Sequence, residues 1–168
     1  MAATAQDLLD LYWDLKLPVD VVGIAAAWGA LLLPLENVLP DTDLTVHQQD
    51  EISGQASHDP ATGRPLILYR ATEPLVRSRF TIAHELGHHV LGHTTAGICC
   101  RDTHAQRMNH DPKERAANAF AAALLMPADA IKTAVYHSKY RTVEDLAKFF
   151  VVSAESMSYR LKNLGYLD

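Results

Sequence analysis

The sequence predicts an α+β fold in which helices pack around a small β-sheet, and three observations carry the prediction. Apolar residues recur at helical spacing near both ends of the chain. Between residues 31 and 70 the pattern shifts to short apolar runs separated by turn formers. A long helix with little polar face follows, over about residues 75–92. The 168 residues, 48% of them apolar, suit one compact domain, and a chain of this size buries about 70% of its unfolded surface, so no metal is required for folding.

The first helix is predicted over residues 4–16, where Leu8, Leu9, Leu11, Tyr12 and Leu15 form an amphipathic pattern that stops at Leu17-Pro18. Asp20 is placed to cap a second short helix through Val21, Val22, Ile24 and Ala25 to Gly29. Both are expected to pack on the core. The best strand candidates are Leu44-Thr45-Val46-His47 and Pro65-Leu66-Ile67-Leu68-Tyr69, with a turn-rich stretch from Ser57 to Gly63 between them.

The long helix opens after Thr72-Glu73-Pro74 and closes at Gly92. Its centre reads His84-Glu85-Leu86-Gly87-His88. Two histidines four residues apart stand about 40° apart around a helix, so both imidazoles can bind one metal ion. Zinc suits the pair, since catalytic zinc sites combine imidazole ligands with an open position for water. Glu85 then lies beside that position, placed to act as a general base in amide hydrolysis. The flanking Phe80, Ile82, Ala83, Leu86, Val90 and Leu91 bury this helix, and buried imidazoles and carboxylates need partners. Arg77 and Arg79 read as surface contacts and receive no catalytic role.

His89 and His93 are poor third ligands. His89 is rotated about 100° from His88, and His93, nine residues past His84, falls on the opposite side of the helix. The extended motif H-E-x-x-H-x-x-G-x-x-H fails as well, because Leu91 and Thr94 occupy its glycine and last histidine positions. Residues 94–110, with Cys99, Cys100, Asp102, His104 and His110, read as a loop whose histidines are solvated. The third ligand must come from another segment. Asp111-Pro112-Lys113-Glu114 has the form of a helix start, with Asp111 as N-cap and Glu114 in the capping-box position, and the alanine-rich helix that follows to Pro127 allows close approach of two helix axes. Glu114 can cap this helix or ligate, and spacing leaves it level with Asp111 and Asp102.

Arg79-Phe80-Thr81-Ile82-Ala83-His84-Glu85-Leu86-Gly87-His88, followed by Glu114-Arg115-Ala116-Ala117-Asn118-Ala119-Phe120 and the run to Met126-Pro127, resembles the ImmA/IrrE family of metallopeptidases. A looser similarity spans roughly residues 18–165. The resemblance implies a zincin-like core with a thermolysin-like active site, with the glutamate three residues before the Ala-Asn pair, Glu114, as third zinc ligand. It also implies a helix-turn-helix repressor as substrate, in control of mobile-element or stress-response genes. The chain departs from the family at the end of the strand before the long helix, where Tyr69-Arg70 stands in place of an asparagine.

Residues 128–137 are predicted as a further helix, with Tyr136 or His137 as the candidate oxyanion donor. Thr142 and Ser153 are placed to cap two short helices, and Leu146, Ala147, Phe150, Val152, Met157 and Leu161 form a helix-turn-helix pattern with Val151 at the usual turn glycine. Lys148, Arg160 and Lys162 are offset by Glu144, Asp145 and Glu155, so packing on the core or docking a protein is favoured over DNA contact.

The expected organisation is a zinc metallopeptidase domain over residues 1–140 and a helix-turn-helix-like segment over 141–168 on the same core. His84, His88 and Glu114 hold Zn2+, and Glu85 activates water. The net charge of -5 argues against holding nucleic acid by bulk electrostatics. No apolar run approaches the ~20 residues of a membrane span, the start lacks a basic leader, and the two adjacent cysteines fit a reducing compartment; a cytoplasmic protein is expected. The rival reading is a non-catalytic regulator that binds DNA or a protein through its last two helices. Glu85 favours the enzyme, since a closed structural site needs no general base.

Overall fold

A computed structural model describes residues 4–37, 52–94, 100–103, 111–136, 140 and 142–168. The architecture is α+β, as the sequence predicts. Helix α1 (Ala5–Tyr12) starts at a reciprocal cap: the Asp7 amide donates to Thr4 Oγ1 at 3.2 Å and the Thr4 amide donates to Asp7 Oδ2 at 2.7 Å. It ends earlier than its apolar pattern, since Trp13 is extended and Leu15 takes a left-handed φ of 63°, which no helix accommodates. Helix α2 (Val21–Trp28) is capped by Asp20, which accepts from the Gly23 amide at 3.0 Å. It closes at Gly29, whose φ of 110° suits only glycine.

The sheet has order β1-β3-β2-β4, with β1 Leu31–Pro34, β2 Ile52–His58, β3 Pro65–Tyr69 and β4 Cys100–Thr103. β1 runs parallel to β3, whereas β2 is antiparallel to both β3 and β4. A 3-10 turn (Leu35–Asn37) follows β1. The predicted strand over 65–69 is present as β3. The turn-rich stretch is shorter than expected because Ser57 and His58 pair with Leu66 and Pro65, leaving the reversal to residues 59–64. Residues 44–47 lie outside the described residues. Within the segment read as a loop, 100–103 forms β4, at the edge of the sheet among the described residues; its pairing comes from its neighbour β2 and leaves no periodic signal in so short a run.

Helix α3 (Leu75–Val90) crosses the sheet, and every residue from Thr81 to Val90 is buried. Helix α4 (Pro112–Leu125) lies against it, followed by α5 (Ala128–Tyr136), α6 (Val143–Phe150) and α7 (Ala154–Asn163). The α6 and α7 caps are those the sequence indicates: Thr142 Oγ1 accepts from the Asp145 amide at 3.1 Å and Ser153 Oγ from the Ser156 amide at 3.0 Å. Leu146, Phe150, Met157 and Leu161 share one apolar core with Leu8, Ile24, Leu86 and Leu124. Two arginines add polar fastenings. Arg79 donates to the carbonyls of Val19 (2.9 Å) and Val151 (3.3 Å), and Arg160 donates to the carbonyl of Met126 (3.0 Å). Arg79, read from sequence as a surface contact, is thus a half-buried tie between three segments. Among the described residues no single helix is long and apolar enough to cross a membrane.

Candidate metal centre

Successive turns of α3 bring His84 and His88 to one side of the helix, where both side chains are at most 1% exposed. Their Nε2 atoms face each other at 3.0 Å. From α4, Glu114 sets one carboxylate oxygen 3.2 Å from His84 Nε2 and the other 3.4 Å from His88 Nε2. Of the three acidic candidates, Asp111 caps α4 instead, accepting from the Lys113 amide at 2.9 Å. The backbone of Asp102 lies in β4; its side chain is outside the described set.

The donor set can be tested for fit. Three nitrogen or oxygen ligands bound tetrahedrally at about 2.0–2.2 Å lie roughly 3.3–3.5 Å from one another. The observed separations of 3.0, 3.2 and 3.4 Å differ from that by a few tenths of an ångström. Two imidazole lone pairs and a carboxylate converging on one point in a buried setting are mutually repulsive without a cation or proton between them. All three ligand atoms lie within 4.8 Å of one another, and the site fits a metal cofactor. When a proton stands on Nε2 in place of a cation, hydrogen bonds from His84 and then His88 hold the Glu114 carboxyl far below the usual carboxylate range, against the opposing effect of burial. The carboxylate stays charged wherever the protein is folded near neutral pH.

Glu85 follows His84 directly and is fully buried. Strand β2 passes close over it. A Cβ at Gly54 would stand 3.0 Å from Glu85 Oε1 and 2.3 Å from Thr81 Cγ2, so only glycine lets the strand approach this closely. Phe80, one turn before His84, stacks on its ring at a centroid distance of 6.3 Å.

His89 points to the sheet. Its Nε2 donates to the Leu66 carbonyl at 3.1 Å, and the Thr94 hydroxyl donates to Nδ1 at 3.0 Å. Burial pushes its pKa down, consistent with a neutral ring that ties α3 to β3. His93 is not on the far side, as extrapolating the helix suggests. The helix ends at Val90, and Gly92 at φ 70° turns the chain so that the His93 amide bonds the His88 carbonyl at 2.8 Å. The His93 ring then stands beside His88, with their Nδ1 atoms 3.1 Å apart. Gly92 was the available signal. A second residue the spacing argument passed over is Asn118, one turn beyond Glu114 on α4, whose Oδ1 is 3.0 Å from His84 Nδ1. Tyr136 is 73% exposed at the end of α5, and His137 lies outside the described residues.

Comparison with known proteins agrees with this geometry. Residues 40–162 match the peptidase family M78 model, the IrrE N-terminal-like domain. Metallopeptidase ImmA of Bacillus subtilis (strain 168) is 29% identical over 118 residues, covering 68% of this chain and 66% of that protein. The chain therefore spans just under two thirds of the relative's length. The matched region contains both helices that meet at the His-His-Glu cluster, and on that ground the chain belongs to the ImmA/IrrE family of metallopeptidases.

Proposed function

We propose that the chain is a zinc-dependent endopeptidase that cleaves a helix-turn-helix transcriptional repressor, and so regulates mobile-element or stress-response genes. The observation that carries the catalytic part is the burial of Glu85, the residue directly after His84 on the helix that brings two histidines to Glu114. His84 Nε2, His88 Nε2 and a Glu114 oxygen would hold the metal. Zinc at such a site supplies a Lewis acid and lowers the pKa of water at its open position to about 7.

Glu85 does the proton work. Its carboxylate accepts a proton from the attacking water and returns it to the departing amide nitrogen, so one side chain serves as base and then as acid. Burial under β2 keeps bulk water from that carboxylate. Among the described residues the sheet ends at β4, and an extended peptide joining that edge would run alongside the sheet whose strand β2 covers Glu85.

The repressor as substrate rests on the family resemblance, and a cytoplasmic location follows from that substrate class. Direct DNA binding forms no part of this reading, since Arg160 of α7 is engaged with the Met126 carbonyl and Glu155 opens the same helix. Residues 141–168 act as a packed extension of the peptidase domain over 1–140.

The test is Glu85→Gln with a helix-turn-helix protein encoded beside this gene as substrate. The variant is expected to retain zinc at one equivalent and lose cleavage by 10²-fold or more, the usual scale for a general base. Undiminished cleavage would remove Glu85 from the mechanism.

A further inference from the structure

Each of the two paired histidines has a second ring nitrogen, and each of those faces a particular partner. His84 Nδ1 meets Asn118 Oδ1 at 3.0 Å, and His88 Nδ1 meets His93 Nδ1 at 3.1 Å. An amide oxygen only accepts, so His84 carries its proton on Nδ1 and presents a bare lone pair at Nε2. The same requirement at His88 makes His93 Nδ1 an acceptor, with the His93 proton on Nε2.

We propose that Asn118 and His93 are positioning residues for the metal: they fix the tautomer and ring orientation of His84 and His88 so that both Nε2 lone pairs point at one ion. The inference rests on the metal-centre reading and deepens it. The two devices are built from local chain geometry. Asn118 is one helical turn past Glu114, so the face of α4 that delivers the third ligand also delivers the partner of the first. His93 is returned to His88 by the left-handed turn at Gly92. Partners of this kind typically account for 10–100-fold in metal affinity.

The experiment measures the zinc dissociation constant of the full-length apoprotein by competition with a chromophoric chelator. It also reads the tautomers of His84 and His88 from their ring 15N shifts. Asn118→Leu keeps the side-chain volume and deletes the acceptor, and His93→Phe keeps a ring and deletes the nitrogen. Each is expected to weaken zinc about 10–100-fold and to populate the Nε2-protonated tautomer of its histidine in the apoprotein. Asn118→Asp, which retains an acceptor, should bind zinc at least as tightly as wild type. Equal weakening by Asn118→Asp and Asn118→Leu, or wild-type affinity and tautomers in Asn118→Leu and His93→Phe, would overturn the inference. His84→Ala and Glu114→Ala separate it from its premise. If those two also bound like wild type, the metal centre itself would be misplaced; if they lose zinc while Asn118→Leu and His93→Phe do not, only the positioning role fails.

Discussion

Placing a methyl group on Gly54 tests how tightly the sheet is pressed against the catalytic helix. Gly54 is held from both sides, paired with Tyr69 of β3 and Asp102 of β4, so β2 cannot shift without disturbing two ladders. The added carbon in Gly54→Ala would stand 2.3 Å from Thr81 Cγ2. Carbon atoms pack at about 3.5–4.0 Å, so roughly 1.2–1.7 Å of overlap must be relieved. Thr81 is fully buried and on the helix that carries His84 and His88, which leaves no free rotation to absorb it. Overpacking of this kind costs about 1–3 kcal/mol. At roughly 2–4 °C per kcal/mol for a chain of this size, the apoprotein should melt about 2–12 °C lower. Thr81→Ser removes the methyl group that is struck. In a double-mutant cycle followed by urea denaturation, the pair should therefore couple favourably, with Gly54→Ala costing less in the Thr81→Ser background. Cleavage should stay depressed in the double variant, because the new carbon still presses on Glu85 Oε1 from 3.0 Å. An unchanged midpoint in Gly54→Ala, or the same loss in both backgrounds, would refute the close approach.

Arg79→Met should keep the aliphatic stem and lose both bonds to the Val19 and Val151 carbonyls; a loss of about 1.5–3 kcal/mol is expected in denaturant melts, with zinc affinity little changed. Glu36 predicts a pH effect. Its carboxylate accepts from the Ala71 amide (3.2 Å) and from the amide (3.2 Å) and hydroxyl (3.0 Å) of Thr72. Burial pushes its pKa up, but those bonds together with its own backbone amide prevail and hold it below the ordinary value. A carboxyl depressed in the folded state stabilises above its unfolded pKa, near 4.3, and that contribution disappears as pH falls through the folded value. Thermal melts between pH 5 and pH 3 should therefore decline less steeply in Glu36→Gln than in wild type.

Much of the site was legible because its chemistry is local. His84, Glu85 and His88 lie within five residues of one helix, so helical periodicity alone brings the two imidazoles together. Glu114 was harder. The sequence offers Asp111 as the N-cap and Glu114 at the capping-box position of the same helix start, and only the fold reveals that Glu114 faces the histidines. His93 was misplaced for a physical reason: a projection that continues the helix ignores the reversal that Gly92 imposes. The caps at Asp20, Thr142 and Ser153 were readable because each is a bond across three residues. β1 and β4 were not individually readable, since four-residue strands owe their pairing to neighbours distant in sequence. Arg79 likewise has partners 60 and 72 residues away.

What joins the two halves of the site is the contact between α3 and α4, and small residues set its distance. Gly87, between the two histidine turns, faces Phe120: a Cβ there would stand 3.0 Å from the Phe120 ring. On α4, Ala117 and Ala121, one turn apart, are both fully buried. Larger side chains at these positions would separate the axes. A carboxylate on α4 has a fixed reach, so an increase of even an ångström would take Glu114 out of range of both Nε2 atoms and Asn118 out of range of Nδ1 together. The ligand geometry is thus a consequence of helix packing in the core, with no loop required to close the three-residue cluster. A site held in this way is already arranged before any ion arrives, which lowers the ordering cost of binding and makes the separation of α3 and α4 the quantity on which metal affinity depends.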